Sequence, residues 1–179
     1  MNYLGIEAEI KNVSALDPGF YPMGRFNEEF RKTARKPIGI ALERAGGDMA
    51  AVHTFIHGTP EMEAADRYYI RRLVKTMLWM KGGFRIFVTD EAICRYLREQ
   101  VFCSGGEQDF DYHYFESVFE HPMEVCLADT VPAASDSPKP MGGHTEGCRI
   151  GFDAGGSDRK VSAVIDGEPV YSEEVVWFP

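Results

Sequence analysis

The residues of this 179-residue sequence best suited to chemistry lie between Arg149 and Val170. There Ile150-Gly151-Phe152-Asp153 is followed by Gly155-Gly156-Ser157 and then by Lys160. A glycine pair lets backbone approach a ligand with no Cβ in the way and reach positive φ, so that successive amide N–H groups converge on phosphate oxygens. Ser157 would add a hydroxyl donor to such a cradle and Lys160 a compensating cation. Asp153 suits a hydrated Mg²⁺, which keeps several waters and takes one or two carboxylates beside phosphate oxygens. Each of these parts has a task if the ligand is a nucleoside triphosphate. Taken alone, an Asp-x-Gly-Gly-Ser string also describes a tight hairpin turn.

These side chains need a rigid frame. Arg149–Asp153 reads as a short strand ending in its carboxylate and Gly-Gly-Ser as a turn. An outgoing strand, an Asp166-Gly167 turn and a third strand, Val170 to Val176, then follow. Upstream, Ile38, Ile40 and Leu42 alternate, Ala45 to Asp48 supply a turn, and Val52, Thr54 and Ile56 alternate again, which predicts a β-hairpin. Thr59-Pro60-Glu61 opens a helix with a cap, a proline at its first position and an acidic first turn. Ala65, Tyr69, Leu73, Met77 and Met80 give that helix an apolar stripe, and Lys81-Gly82-Gly83 ends it. A strand from Phe84 to Thr89, a helix from Asp90 through Val101, a short helix from Tyr112 to Glu120 and a strand from Met123 to Leu127 complete the series. Strands alternating with helices imply an α/β, or mixed α+β, sheet with helices packed on it.

The organisation expected is therefore an extended lead-in over 1–36 with one short helix, an α/β domain over 37–128, and a proline-rich linker over 129–147. Residues 148–179 would hold the phosphate-binding hairpin. The linker would be the most protease-sensitive internal segment.

Residues 149–176 resemble the opening hairpin of the ROK family of sugar kinases and repressors, within the actin-like ATPase (RNase H-like) superfamily. Gly151, Asp153, Gly155, Gly156, Lys160, Asp166 and Gly167 match that family's pattern, and Ser157 stands for its usual Thr with the hydroxyl kept. The resemblance implies that Asp153, Gly155, Gly156, Ser157 and Lys160 contact the ATP phosphates, with Asp153 holding Mg through water. It also implies a sugar as the other substrate of an intact protein. More faintly, the whole sequence resembles a ROK-like subgroup with an extra N-terminal α/β domain. The family's Asn-Asp catalytic pair, Glu-x-Gly-His motif and Cys-rich zinc loop do not occur in this sequence, so no catalytic residue is assigned. The expectation is an N-terminal part of a kinase, inactive alone. The other reading is a non-catalytic regulatory or assembly module whose hairpin completes a partner's sheet.

Composition bounds the remaining classes. A net charge of −9 and a pI near 5.0 repel nucleic-acid phosphates, so no nucleic acid is expected as partner. The basic cluster Arg67, Arg71, Arg72 and Lys75 recurs at helical spacing and reads as a solvated helix face. No apolar run reaches the length of a membrane span, and Cys94, Cys103, Cys126 and Cys148 form no CxxC pair. With no signal peptide evident at the N-terminus, reduced thiols in a cytoplasm are the expectation. Strands as apolar as those of 149–176 need a second layer, which favours a homo-oligomer or cover from elsewhere in the chain.

Weaker candidates are His53 with His57, His144 with Cys148, and Cys103 with His113. The first two pairs lack the further ligands a metal site needs. The third lacks any sign of an oriented hydrogen bond. The aromatic run Phe110, Tyr112, Tyr114, Phe115 and Phe119 reads as a core-facing stripe.

Overall fold

A computed structural model describes residues 1–137 and 142–177, and the chain divides into two compact units at Ser137/Pro138. The middle of the expected linker, Pro138 to Met141, and the last two residues lie outside the described residues.

In the first unit, β1 (Asn2–Tyr3) and β2 (Ile6–Glu7) form a small hairpin ahead of helix α1 (Met23–Thr33). A four-stranded sheet follows, in the order β4-β3-β5-β6, built from β3 (Lys36–Glu43), β4 (Met49–Ile56), β5 (Arg85–Val88) and β6 (Glu124–Leu127). Strand β3 is antiparallel to both β4 and β5, while β5 and β6 run parallel. A parallel pair needs a long crossover. Here it contains α3 (Glu91–Tyr96), a π-helical turn (Leu97–Val101) and α4 (Asp109–Phe119). Helix α2 (Glu63–Lys81) connects β4 to β5 after a 3-10 turn at Pro60–Met62. The mixed α/β class and the order of these elements agree with the sequence.

The central strand explains the layering. Ile38, Ile40 and Leu42 point into the one large hydrophobic core with Ile70, Val74 and Leu78 of α2. Ala41, buried on the other face, stands outside that core. On that second face the sheet is approached so closely that a Cβ on Gly39 would lie 2.9 Å from Val131 Cγ2. Ser135 pairs with Met49 by two backbone hydrogen bonds of 3.0 and 3.1 Å. The segment 129–135 is thus bound to the sheet of the first unit, where its composition suggests a linker.

The first 36 residues likewise contribute to the core, through Ile6, Ala8, Tyr21, Phe26, Phe30 and Ala34. Phe26 and Phe30 are fully buried, and Phe30 stacks on Tyr69 of α2 at 4.3 Å between centroids. Tyr3 meets Tyr68 edge-on at 5.2 Å. Burying one phenylalanine is worth roughly 1.5–3 kcal/mol, enough to anchor a helix whose prolines and glycines upstream obscure it in the sequence. Of the aromatic run in α4, Phe115 enters the core, whereas Phe110 is 67% and Tyr114 40% exposed. Those two stack on each other, and Tyr114 on Trp79, instead of facing inward as expected.

The second unit is a three-stranded antiparallel sheet, β7 (Cys148–Ala154), β8 (Asp158–Ile165) and β9 (Glu168–Val176), in sequence order. Asp166 and Gly167 join β8 to β9 with φ of 48° and 86°. Positive φ at both central residues is what a two-residue type I′ turn requires, and it explains the Asp-Gly pair. No helix among the described residues is long and apolar enough to cross a membrane.

Candidate functional site

Pairing within the second unit sets the positions of the sequence-assigned residues. Asp153 is opposite Lys160, and Lys160 opposite Glu174. Gly151, Ser162 and Ser172 form the next row on the same face. Alternation gives the other face Ile150, Phe152 and Tyr171, all at least half exposed. The polar rows border a shallow open depression of about 460 Å³, lined by Asp153, Lys160, Ser162, Ser172 and Glu174.

Lys160 does not reach toward the glycine turn as an unattached cation. Its Nζ lies 3.5 Å from Asp158 Oδ2 and 3.6 Å from Glu174 Oε1. Asp158 first, then Glu174 and more weakly Asp153, hold the ammonium above its usual pKa. Asp153 itself is exposed on β7, and three carboxylates around one ammonium leave this patch net negative.

The turn is built differently from the sequence expectation in one respect. Neither Gly155 nor Gly156 has positive φ. Gly155 is needed for closeness instead: a Cβ there would lie 2.8 Å from Asp158 Oδ1 and 3.0 Å from the Asp158 carbonyl oxygen. Gly156 has open space around it and no hydrogen bond among the described residues. Trp177, which belongs to no motif, closes the turn from β9. Its indole Nε1 donates to Gly155 O at 2.9 Å and its backbone N–H to Ser157 O at 3.0 Å. With those carbonyls occupied, the side of the turn open to a ligand is Gly156 and the Ser157 hydroxyl. No group of three or more His, Cys, Asp or Glu suited to a metal occurs among the described residues. A single exposed carboxylate beside an open glycine fits an ion held mainly by water and phosphate, the arrangement Mg²⁺ accepts.

A second constellation arises in the first unit around His57, whose partners Asp66 and Thr33 no sequence spacing marked. Asp66, in the first turn of α2 and 3% exposed, accepts from His57 N at 2.9 Å, Gly58 N at 2.7 Å and His57 Nδ1 at 2.9 Å. With Nδ1 against the carboxylate, His57 Nε2 faces Thr33 Oγ1 at 2.8 Å, and the same hydroxyl donates to Phe30 O at 3.2 Å. This carboxylate, imidazole and hydroxyl arrangement has the connectivity of a nucleophile relay. Its surroundings are those of a clamp. The adjoining cavity of about 270 Å³ is lined by Lys36, Gly58, Thr59, Asp66 and Asp90, but not by His57 or Thr33. The three residues tie the C-terminus of α1 to the β4–α2 connection, with Phe30 packed edge-on to the imidazole at 4.7 Å. Across the same cavity Lys36 Nζ donates to Asp90 at 2.7 Å, while the other oxygen of Asp90 caps α3 at Ile93 N.

The remaining sequence candidates are not brought together. His53 is exposed on β4. Cys103 Sγ contacts Glu99 O, whereas His113 lies by Asp109 and Glu116. Cys148 begins β7 and is exposed.

No family model, curated protein or solved structure matches the chain. The resemblance to the ROK hairpin accordingly rests on its own residues.

Proposed function

We propose that β7–β9 form the ATP-phosphate-binding hairpin of a ROK-like, ATP-dependent sugar kinase, with Mg²⁺ held through water by Asp153. The observation that carries this reading is the juxtaposition at the end of β7. An exposed carboxylate is followed directly by a turn whose first glycine admits no Cβ, whose second is open and unbonded, and whose third residue carries a hydroxyl. Bound Mg²⁺ would bridge phosphate oxygens and offset their charge. The chain's own part is to present Gly156 and Ser157 to phosphate oxygens and to fix Asp153 beside them. Lys160 has a positioning part: it bridges β8 and β9 and limits carboxylate repulsion beneath the turn.

A different reading, a non-catalytic module that completes a partner's sheet, is favoured by the exposure of every residue of β7, an edge strand of its sheet. The two separate in one experiment. ATP-dependent phosphorylation of a panel of hexoses by a protein carrying these residues, and its loss on Asp153→Asn, supports the kinase reading. Unchanged phosphorylation in that variant leaves the hairpin as structure.

A further inference from the structure

The two edges of the small sheet differ in character. Strand β9 carries Glu168, Pro169, Glu173 and Glu174, and its pairing with β8 shifts register between Ala163 and Val164. Like charges, proline and irregular pairing are the devices that keep an edge strand from joining another chain. Strand β7 has none of them. Its Cys-Arg-Ile-Gly-Phe-Asp-Ala run pairs with β8 without a shift, and every one of its residues is exposed.

Backbone groups alternate in direction along a strand. Gly147 O accepts from Asp166 N at 3.0 Å, and Arg149, Gly151 and Asp153 follow at two-residue steps opposite Val164, Ser162 and Lys160, so these residues turn their backbone toward β8. The N–H and C=O groups of Ile150 and Phe152 therefore face outward. The side chains add a symmetry about Gly151. Arg149 and Asp153 lie two positions to either side of it on one face, and Ile150 and Phe152 one position to either side on the other. Arg149 donates only to the backbone carbonyls of His144 and Cys148, both at 3.0 Å. Neither Arg149 nor Asp153 makes an ion pair among the described residues.

We infer that β7 pairs antiparallel with β7 of a second copy of this chain, about a two-fold axis that passes through Gly151 perpendicular to the sheet. The inference rests on the sheet-completing reading above and names its partner. In this register Arg149 stands opposite Asp153 of the second copy and Ile150 opposite Phe152, and the symmetry repeats each pair. Centring the axis on Ile150 or on Phe152 instead sets Arg149 opposite a glycine, so charge selects Gly151. The outward groups of Ile150 and Phe152 then supply the hydrogen bonds. Gly151 meets its own copy at a non-hydrogen-bonded site, where Cα atoms approach to about 4.5 Å. Arg149 and Asp153 occupy sites of the same kind, where opposed side chains are closest. Pairing joins two three-stranded sheets into one of six strands and brings together Ile150 and Phe152, 79% and 64% exposed in the single chain.

The test is sedimentation velocity of the 179-residue chain over a concentration series, with amide exchange in β7 followed by NMR. The chain is expected to dimerise reversibly, and the N–H groups of Ile150 and Phe152 should exchange more slowly as its concentration rises. Arg149→Asp and Asp153→Arg each set like charges opposite one another twice, and should each weaken the dimer by about tenfold or more. An equimolar mixture of the two variants restores opposite charges at both sites and should dimerise as wild type does. Unfolded variants would not recover in this way. A dimer indifferent to both substitutions, or variants that stay apart on mixing, overturns the β7 register. A monomer at every concentration with fast exchange at Ile150 and Phe152 overturns self-pairing alone. A monomer with those two amides protected shows the edge covered from within the chain, and overturns the sheet-completing reading as well.

Discussion

The indole Nε1 of Trp177 donates to the carbonyl oxygen of Gly155 at 2.9 Å, so the residue after β9 closes the turn between β7 and β8. Trp177→Phe keeps the ring and removes the donor. Loss of one such bond is worth about 1 kcal/mol. Amide exchange at residue 177, whose N–H donates to Ser157 O, should therefore quicken severalfold, with exchange in α2 unchanged. Equal exchange in both proteins would show that Trp177 does not hold the turn.

Asp66 should be the most sensitive polar position of the first unit. Asp66→Ala strands the N–H groups of His57 and Gly58 and the His57 Nδ1 donor, at about 1–3 kcal/mol for each that stays buried. Thr33→Val removes only the outer end of the clamp and should cost about 0.5–1.5 kcal/mol. Urea denaturation of the two variants checks the order. A loss at Asp66 no larger than at Thr33 contradicts the clamp.

Acid should act through Asp90. Burial works to raise its pKa, but the Lys36 ammonium and the N–H groups of Ile93 and Ala92 outweigh it and hold the carboxyl below its usual value. The folded protein thus binds this proton more weakly than the unfolded chain. Its stabilisation is complete above the unfolded value of about 3.9 and is lost as pH falls through the lower folded value. Asp90→Asn keeps a capping oxygen for Ile93 N but removes the charge paired with the half-exposed Lys36, so it should cost about 0.2–1 kcal/mol at pH 7, and the gap from wild type should narrow below about pH 4. A gap independent of pH between 7 and 3 would exclude Asp90 as the source.

Much of the fold is visible in the sequence because its signals are local. The Pro60 start and Gly82 stop of α2, the alternation in β3 and β4, and the Asp166-Gly167 turn each specify their element from neighbouring residues. Thr59 nevertheless makes no side-chain cap, the buried face of α2 runs through Ile70, Val74 and Leu78, and Met80 of the expected stripe is exposed. Contacts between distant segments are less legible. Val131 against Gly39, Ser135 against Met49 and Trp177 over Gly155 join residues whose spacing carries no period. The same holds at the sites. Asp153, Gly155, Gly156 and Ser157 lie within five consecutive positions and could be found by motif, whereas Thr33, His57 and Asp66 meet only after α1, β4 and α2 have packed. The expectation of positive φ at the glycine pair failed because the turn uses glycine for its missing Cβ, a demand made by Asp158 and seen only once β8 is in place.

The Gly39 contact gives a direct check on the segment 129–135. Gly39→Val would drive two methyl groups into Val131 and Thr89, a small-to-large change of the kind that costs about 1–3 kcal/mol. Thermolysin should then cut within 129–137 faster than in wild type, with cleavage in 61–101 little changed. Equal cleavage of both proteins in 129–137 would mean that the segment gains nothing from lying on the sheet.

Asp153 is the decisive residue of the proposed site, and the most direct measurement is the rate of ATP-dependent sugar phosphorylation by a protein carrying this hairpin, wild type against Asp153→Asn. The substitution keeps size and hydrogen-bonding capacity and removes the charge that, on the proposed function, would hold a hydrated cation near Gly156 and Ser157. Charge stabilisation and positioning supply most of phosphoryl-transfer catalysis, so kcat should fall by about two orders of magnitude or more, with the β7–β8 amide spectrum unchanged. Equal turnover by both proteins would contradict the nucleotide-site reading.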